Sequence, residues 1–144
     1  MNERILFMAA LALLSTGCVF QQGSGQSAHP VVECGVAYRS SIEEDVQDTL
    51  TFEMAPDDEE KFLRFEDLTL HARYDLFEYE STTFIIDVLQ SGEEAYLTRS
   101  LYQLSKERPL ENPFIGGHGF TGLTYVQHPQ TRAELQFYCS AKQS

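Results

Sequence analysis

From Val31 onward the chain alternates apolar and polar residues with a period of two, the repeat of a pleated strand that is wet on one side. In VVECGVAYRS, Val32, Cys34, Val36 and Tyr38 share one face, with Glu33, Gly35, Ala37 and Arg39 on the other. TLTFEMA sets Leu50, Phe52 and Met54 on one face, and LTLHARYD does the same with Leu68, Leu70, Ala72 and Tyr74. TTFIIDVLQ and AYLTRSLYQL follow, separated at Ser91 and Gly92, and then FTGLTYVQH. The last strand, AELQFYCSA, has Ala133, Leu135, Phe137, Cys139 and Ala141 inward. A two-residue hairpin loop at Ser91-Gly92 would oppose Val88 to Ala95, Ile86 to Leu97 and Phe84 to Arg99, with Arg99 where that face reaches water. SIEED and PDDEEKFL carry capping-box spacings, Ser41 to Glu44 and Asp57 to Glu60, and read as loops with some helical turns. No repeat with a period of about 20 to 50 residues is visible. Seven short strands with one wet face predict an all-β fold, an antiparallel two-sheet β-sandwich; a small closed β-barrel is the alternative.

The first residues have a different pattern. Arg4 is offset by Glu3, and the apolar run Ile5 to Leu14 is shorter than the ~20 residues a membrane-spanning helix needs, so it reads as a secretory signal. Ser15, Thr16 and Gly17 follow, then Cys18. This arrangement resembles the lipobox of bacterial lipoproteins, although Ser15 stands where that family prefers leucine and Leu14 sits one place earlier. The resemblance implies a lipid on the Cys18 thiol and cleavage that leaves Cys18 as the N-terminus. Several acyl chains together hold stably where one anchors only marginally. Val19 after the cysteine is similar to the outer-membrane sorting class of enteric lipoproteins. The competing expectation is an ordinary signal peptide cut nearby, with Cys18 left as a stray thiol.

On this reading residues 1–17 are the signal peptide, 18–29 a lipidated flexible tether and 30–144 an acidic β-sandwich domain. The tether, QQGSGQSAHP with its flanks, is rich in Gly, Ser and Gln and allows a stand-off of about 20 Å from the bilayer. Acylation of Cys18 leaves an even pair among the three cysteines, Cys34 and Cys139, in the first and last strands and on their inward faces. A disulfide between them is expected in an oxidising envelope compartment.

The formal charge is −12, and cleavage removes one acid and one base, so it does not change. Such a surface excludes nucleic acid, which requires a basic footprint, and disfavours a peripheral grip on anionic headgroups. Membrane association through the acyl chains on Cys18, and a protein partner of cationic character, are the interactions the charge permits.

Candidate chemistry is sparse. G-x-S-x-G, C-x-x-C and H-E-x-x-H are absent, and His29, His71, His118 and His128 are scattered. EED and DDEE lack the alternating acids and central glycine of a calcium loop. No catalytic residue, metal site or cofactor is therefore expected. The aperiodic stretch Ser105 to Phe120, SKERPLENPFIGGHGF, is the candidate binding loop. There Phe114 and Ile115 either cap the core or present a contact, and glycines flank His118.

The expected function is a non-catalytic binding or scaffolding module anchored at the outer membrane. Lysozyme-inhibitor lipoproteins are similar in general layout, small β domains with cysteines near both ends, which implies the alternative of an inhibitor of a cationic hydrolase. A third expectation is an accessory subunit of a secretion or envelope-assembly machine.

Overall fold

The structure, a computed structural model, describes residues 29–76, 82–104 and 117–142. Eight strands fill it: β1 (Val31–Arg39), β2 (Asp48–Met54), β3 (Lys61–Arg64), β4 (Leu68–Leu76), β5 (Thr82–Gln90), β6 (Tyr96–Leu104), β7 (Thr124–Gln127) and β8 (Glu134–Lys142). They form two four-stranded antiparallel sheets, β2-β1-β8-β7 and β3-β4-β5-β6. The expected sandwich is present and the sheets do not close into a barrel. The order is nevertheless that of an up-and-down ring, since each strand neighbours its sequence successor except at two open seams, β2/β3 and β6/β7.

The period-two pattern builds the core directly. Val32, Cys34, Val36 and Tyr38 of β1, Leu68, Leu70, Ala72 and Tyr74 of β4, and Ala133, Leu135, Phe137 and Cys139 at β8 are all buried in one cluster with Phe84, Ile86 and Val88 of β5. Tyr74 and Phe84 meet edge to face at 5.6 Å, a geometry worth about 0.5 to 1.5 kcal/mol beyond the area buried. The edge strand β2 departs from the expected pattern, because Leu50 is exposed and Phe52 only half-buried while Met54 is fully enclosed.

Two local expectations are corrected. PDDEEKFL is not a helical turn throughout, because Lys61–Arg64 pairs with β4 as a short strand. The β5–β6 loop is not the two-residue turn, since the strands resume pairing at Leu89 and Tyr96, and Val88 faces Thr98, Ile86 faces Ser100 and Phe84 faces Tyr102. The ladder slips between Val88 and Leu89, and Gln90 donates its N–H to the Ala95 carbonyl at 3.2 Å. Arg99 consequently lies opposite Asp87 instead of Phe84.

Cys34 and Cys139 are bonded and sit directly opposite each other in the β1–β8 ladder, with Cα atoms 4.1 Å apart. This is the close spacing of a non-hydrogen-bonded pair, ~4.5 Å. The backbone of Cys139 turns the other way: its carbonyl accepts from Phe120 N at 3.0 Å, and its N–H donates to Thr121 Oγ1 at 2.7 Å. Chain-entropy reasoning gives a bridge of sequence separation 105 a stabilisation of about 4 to 5 kcal/mol through the unfolded state. Replacing both cysteines with alanine is expected to lower the urea midpoint by a free energy of that order. A loss below about 1 kcal/mol would show that the bridge contributes little.

Candidate functional site

Cys18, Phe114 and Ile115 lie outside the described residues. His118 is half-buried between Gly117 and Gly119, whose φ values are +83° and +65°. A Cβ at Gly119 would fall 2.0 Å from the Cys139 carbonyl oxygen, so glycine there lets this segment lie against β8. The His118 ring meets Tyr138 at 5.6 Å. Tyr138 itself lies over Gly35, where a Cβ would come within 2.7 Å of the phenol ring. The sequence-predicted His118 therefore belongs to the outward face of the first sheet, beside the disulfide-bearing part of β8.

Sequence reading missed the main cluster of ionisable groups. On the outward face of the second sheet, Phe62, His71, Asp87 and Arg99 stand opposite one another in a single row across β3, β4, β5 and β6. Asp87 is 1 % exposed, and Arg99 donates to it twice, Nε to Oδ1 at 2.7 Å and Nη2 to Oδ2 at 2.8 Å. That bond raises the Arg99 pKa against the opposing effect of desolvation. His71 Nδ1 is 3.4 Å from Asp87 Oδ2, and its Nε2 is 2.9 Å from Glu60 Oε2. Phe62 stacks on the imidazole at 4.3 Å, Arg64 lies over Phe62 at 5.6 Å, and Arg99 lies over Tyr96 at 4.3 Å. A buried carboxylate without a partner is costly, and the bidentate guanidinium is the geometry that offsets it.

Chemically the row neutralises charge. Both imidazole nitrogens of His71 face carboxylates, and among the described residues no hydroxyl or thiol is bonded to it. Among the described residues no group of three His, Cys, Asp or Glu side chains has the geometry for a metal ion. His128 organises the β7–β8 turn, where its Nδ1 accepts from the N–H groups of Gln130 and Thr131 at 3.3 and 3.1 Å. His29, assigned to the tether from sequence, is buried. Asp87 was detectable as a lone acid inside the apolar run TTFIIDVLQ, since such a residue demands a cation nearby.

The first sheet holds a second buried acid on its outward face. Glu134, 3 % exposed, accepts from Arg39 Nε at 3.0 Å and Nη2 at 2.6 Å, Gln127 at 3.0 Å and Gln136 at 2.8 Å. Burial alone would push its carboxyl up; the hydrogen bonds from Gln127, Gln136 and Arg39 more than offset this and lower it below the usual range.

The remaining acids are unevenly spread. The β1–β2 loop carries Glu43, Glu44 and Asp45, the β3–β4 turn Glu66 and Asp67, and the β5–β6 loop Glu93 and Glu94. All three connections lie at one end of the sandwich, which is held together by the Tyr38–Phe65 stack at 4.8 Å and the Gln90–His128 contact at 3.2 Å. Chain entry is at the opposite end, where Tyr74 OH donates to the Pro30 carbonyl at 3.0 Å. The β2/β3 seam adds Asp48, Glu53 and Asp57 to Glu60. Along the β6/β7 seam, residues 95–104 and 117–133 contain no acid.

Compared with family models, with characterised proteins and with solved structures, the chain matches none.

The depressed Glu134 carboxyl fixes the sign of a pH effect. Its stabilisation is complete above the unfolded carboxylate value, about 4.3, and is lost as the pH falls through the lower folded value. Glu134→Gln is therefore expected to be less stable than wild type near neutrality by about 1 to 3 kcal/mol. This difference should shrink on acidification below about pH 4. Urea melts at both pH values check this; a gap that widens in acid would contradict it.

Proposed function

We propose that the protein is an envelope lipoprotein: an acyl anchor on Cys18, a short tether, and an acidic sandwich that binds or scaffolds a partner without catalysing a reaction. The observation that carries this reading is the disulfide. Cys34 and Cys139 consume each other inside the fold, and such a bond belongs to an oxidising compartment. Cys18 is left as the odd cysteine, at the end of a signal-like apolar run with small residues before it. Outer-membrane attachment follows from Val19 in the sorting position.

The polarity of the sandwich gives this reading a direction. A tether entering at Pro30 attaches at the end opposite Glu43, Glu44, Asp45, Glu66, Asp67, Glu93 and Glu94, so the acidic loops stand away from the bilayer. That placement favours a second, more specific reading, inhibition of a cationic hydrolase such as a lysozyme. Net charge of one sign raises the association rate of an opposite partner and does so in a salt-dependent way.

Two measurements test these readings separately. Globomycin treatment is expected to accumulate the uncleaved precursor, and Cys18→Ser to release the protein from the membrane; normal maturation in the presence of the drug rules out the anchor. Lysozyme binding, if this is the partner class, should weaken steeply as salt is raised, and absence of binding at low ionic strength removes the inhibitor reading while leaving the anchor intact.

A further inference from the structure

We propose that the free edge of β6 pairs with the same edge of a second copy of this chain, antiparallel and centred on Leu101, joining two four-stranded sheets into one of eight strands.

Sheet edges invite strand addition unless they are blunted by shortness, charge, proline or bulges. Three of the four edges here are blunted. β3 and β7 are only four residues long, and β2 carries Asp48, with Glu53 already held by Lys142. β6 is nine residues long, YLTRSLYQL, without proline or glycine, and no other described strand pairs with its far side. Its single charge, Arg99, is already engaged by Asp87 within its own chain. Tyr96 is 53 % and Leu101 59 % exposed, and Leu101 is the most exposed large apolar side chain among the described residues.

The self-matching of the strand about a two-fold axis selects the occupant, and charge selects the place. Two chains of formal charge −12 repel, and among the described residues the approach that brings the fewest carboxylates together is through the side formed by residues 95–104 and 117–133. β6 is the long edge on that side. The loops rich in Glu and Asp at the end of the sandwich, and the β2/β3 seam, remain outside such a contact.

The register follows from the pleat, because antiparallel partners share a face. A two-fold axis at Arg99 sets two guanidinium groups against each other, and one at Ser100 sets Arg99 against Leu101. An axis at Leu101 sets Leu101 against its copy and Arg99 against Gln103 on the outward face, with Ser100 against Tyr102 and Thr98 against Leu104 on the inward face. This register alone avoids like charges and matches apolar to apolar at the exposed position, with Ile85, the Leu101 partner on β5, continuing the strip on both sides. The interface is isologous, so it closes at two copies.

Sedimentation equilibrium of the full chain in detergent is expected to give twice the monomer mass. Leu101→Lys, a change at an exposed side chain, should return it to monomer with the far-UV circular dichroism spectrum of the folded sandwich retained. Under mild oxidation, Leu101→Cys should form a covalent dimer well above the background set by Cys18 in the unsubstituted chain, and Gln103→Cys should not. A monomer at every concentration up to millimolar would leave the edge to a strand from some other protein and overturn the proposal. A dimer indifferent to Leu101→Lys, or one crosslinked as readily at 103 as at 101, would overturn it as well.

Discussion

Pairing of β1 with β8 is the contact on which the rest of the structure depends. Every other ladder joins strands adjacent in sequence: β1 with β2, β3 with β4, β4 with β5, β5 with β6, and β7 with β8. The first sheet is thus two hairpins held together only where Val31–Arg39 meets Glu134–Lys142. Without that ladder the sheet divides between β1 and β8, and Leu70, Tyr74, Phe84 and Ile86 of the second sheet lose the surface that covers them. Bringing the ends of the domain together costs loop-closure entropy before any contact repays it. The Cys34–Cys139 bond lies in the middle of this one long-range ladder, where a covalent link removes most of that cost.

The alternation of side chains made the inward faces of β1, β4 and β8 legible, because burial on one face imposes period two and a one-residue slip would turn every apolar group outward. β3 was not legible, for a physical reason. Lys61–Arg64 is too short for a pattern to repeat, and its strand character comes from partners on β4, with Phe62 on His71 and Leu63 opposite Leu70. The β5–β6 register was misread for a more instructive reason. Matching apolar residues across a two-residue turn places Tyr96 opposite Asp87 and strands the carboxylate. Cross-strand apolar pairs are worth about 0.2 to 1 kcal/mol each. Removing one partner of a buried ion pair costs about 3 to 5 kcal/mol. Asp87 therefore decides the register, a longer loop absorbs the difference, and Thr98 and Ser100 turn inward and Arg99 outward, while Leu97, at the slip in the ladder, still packs against the core.

The same arithmetic explains which parts of the candidate site could be read in advance. Cys34 and Cys139 carry their pairing in their parity and their faces, and His118 carries its loop in the glycines around it. Glu60, His71, Asp87 and Arg99 give no such local sign of one another, since three strands and the approach to β3 bring them together only once the second sheet exists. Glu134 is similar: its partners Arg39 and Gln127 lie on different strands, on either side of β8. Each sheet thus spends one buried carboxylate on its outward face, and each is held by a bidentate or forked arginine contact.

A sandwich that stops short of closing into a ring must manage two open seams, and this chain manages them differently. Along β2/β3 Asp48 and Asp57 to Glu59 crowd carboxylates beside the unpaired backbone, while Glu53 is held by Lys142 and Glu60 by His71, so that an approaching strand of the same chain meets repulsion. Along β6/β7 the described residues 95–104 and 117–133 include no acid, and β7 is protected by its brevity. The high net charge therefore has a consequence beyond solubility. It disfavours self-association through most of the surface and leaves the β6 side as the approach with the fewest carboxylates among the described residues. The ionic row reaches this same strand through Arg99, whose guanidinium Asp87 holds against the sheet and over Tyr96, so the edge stays extended without presenting an uncompensated charge of its own.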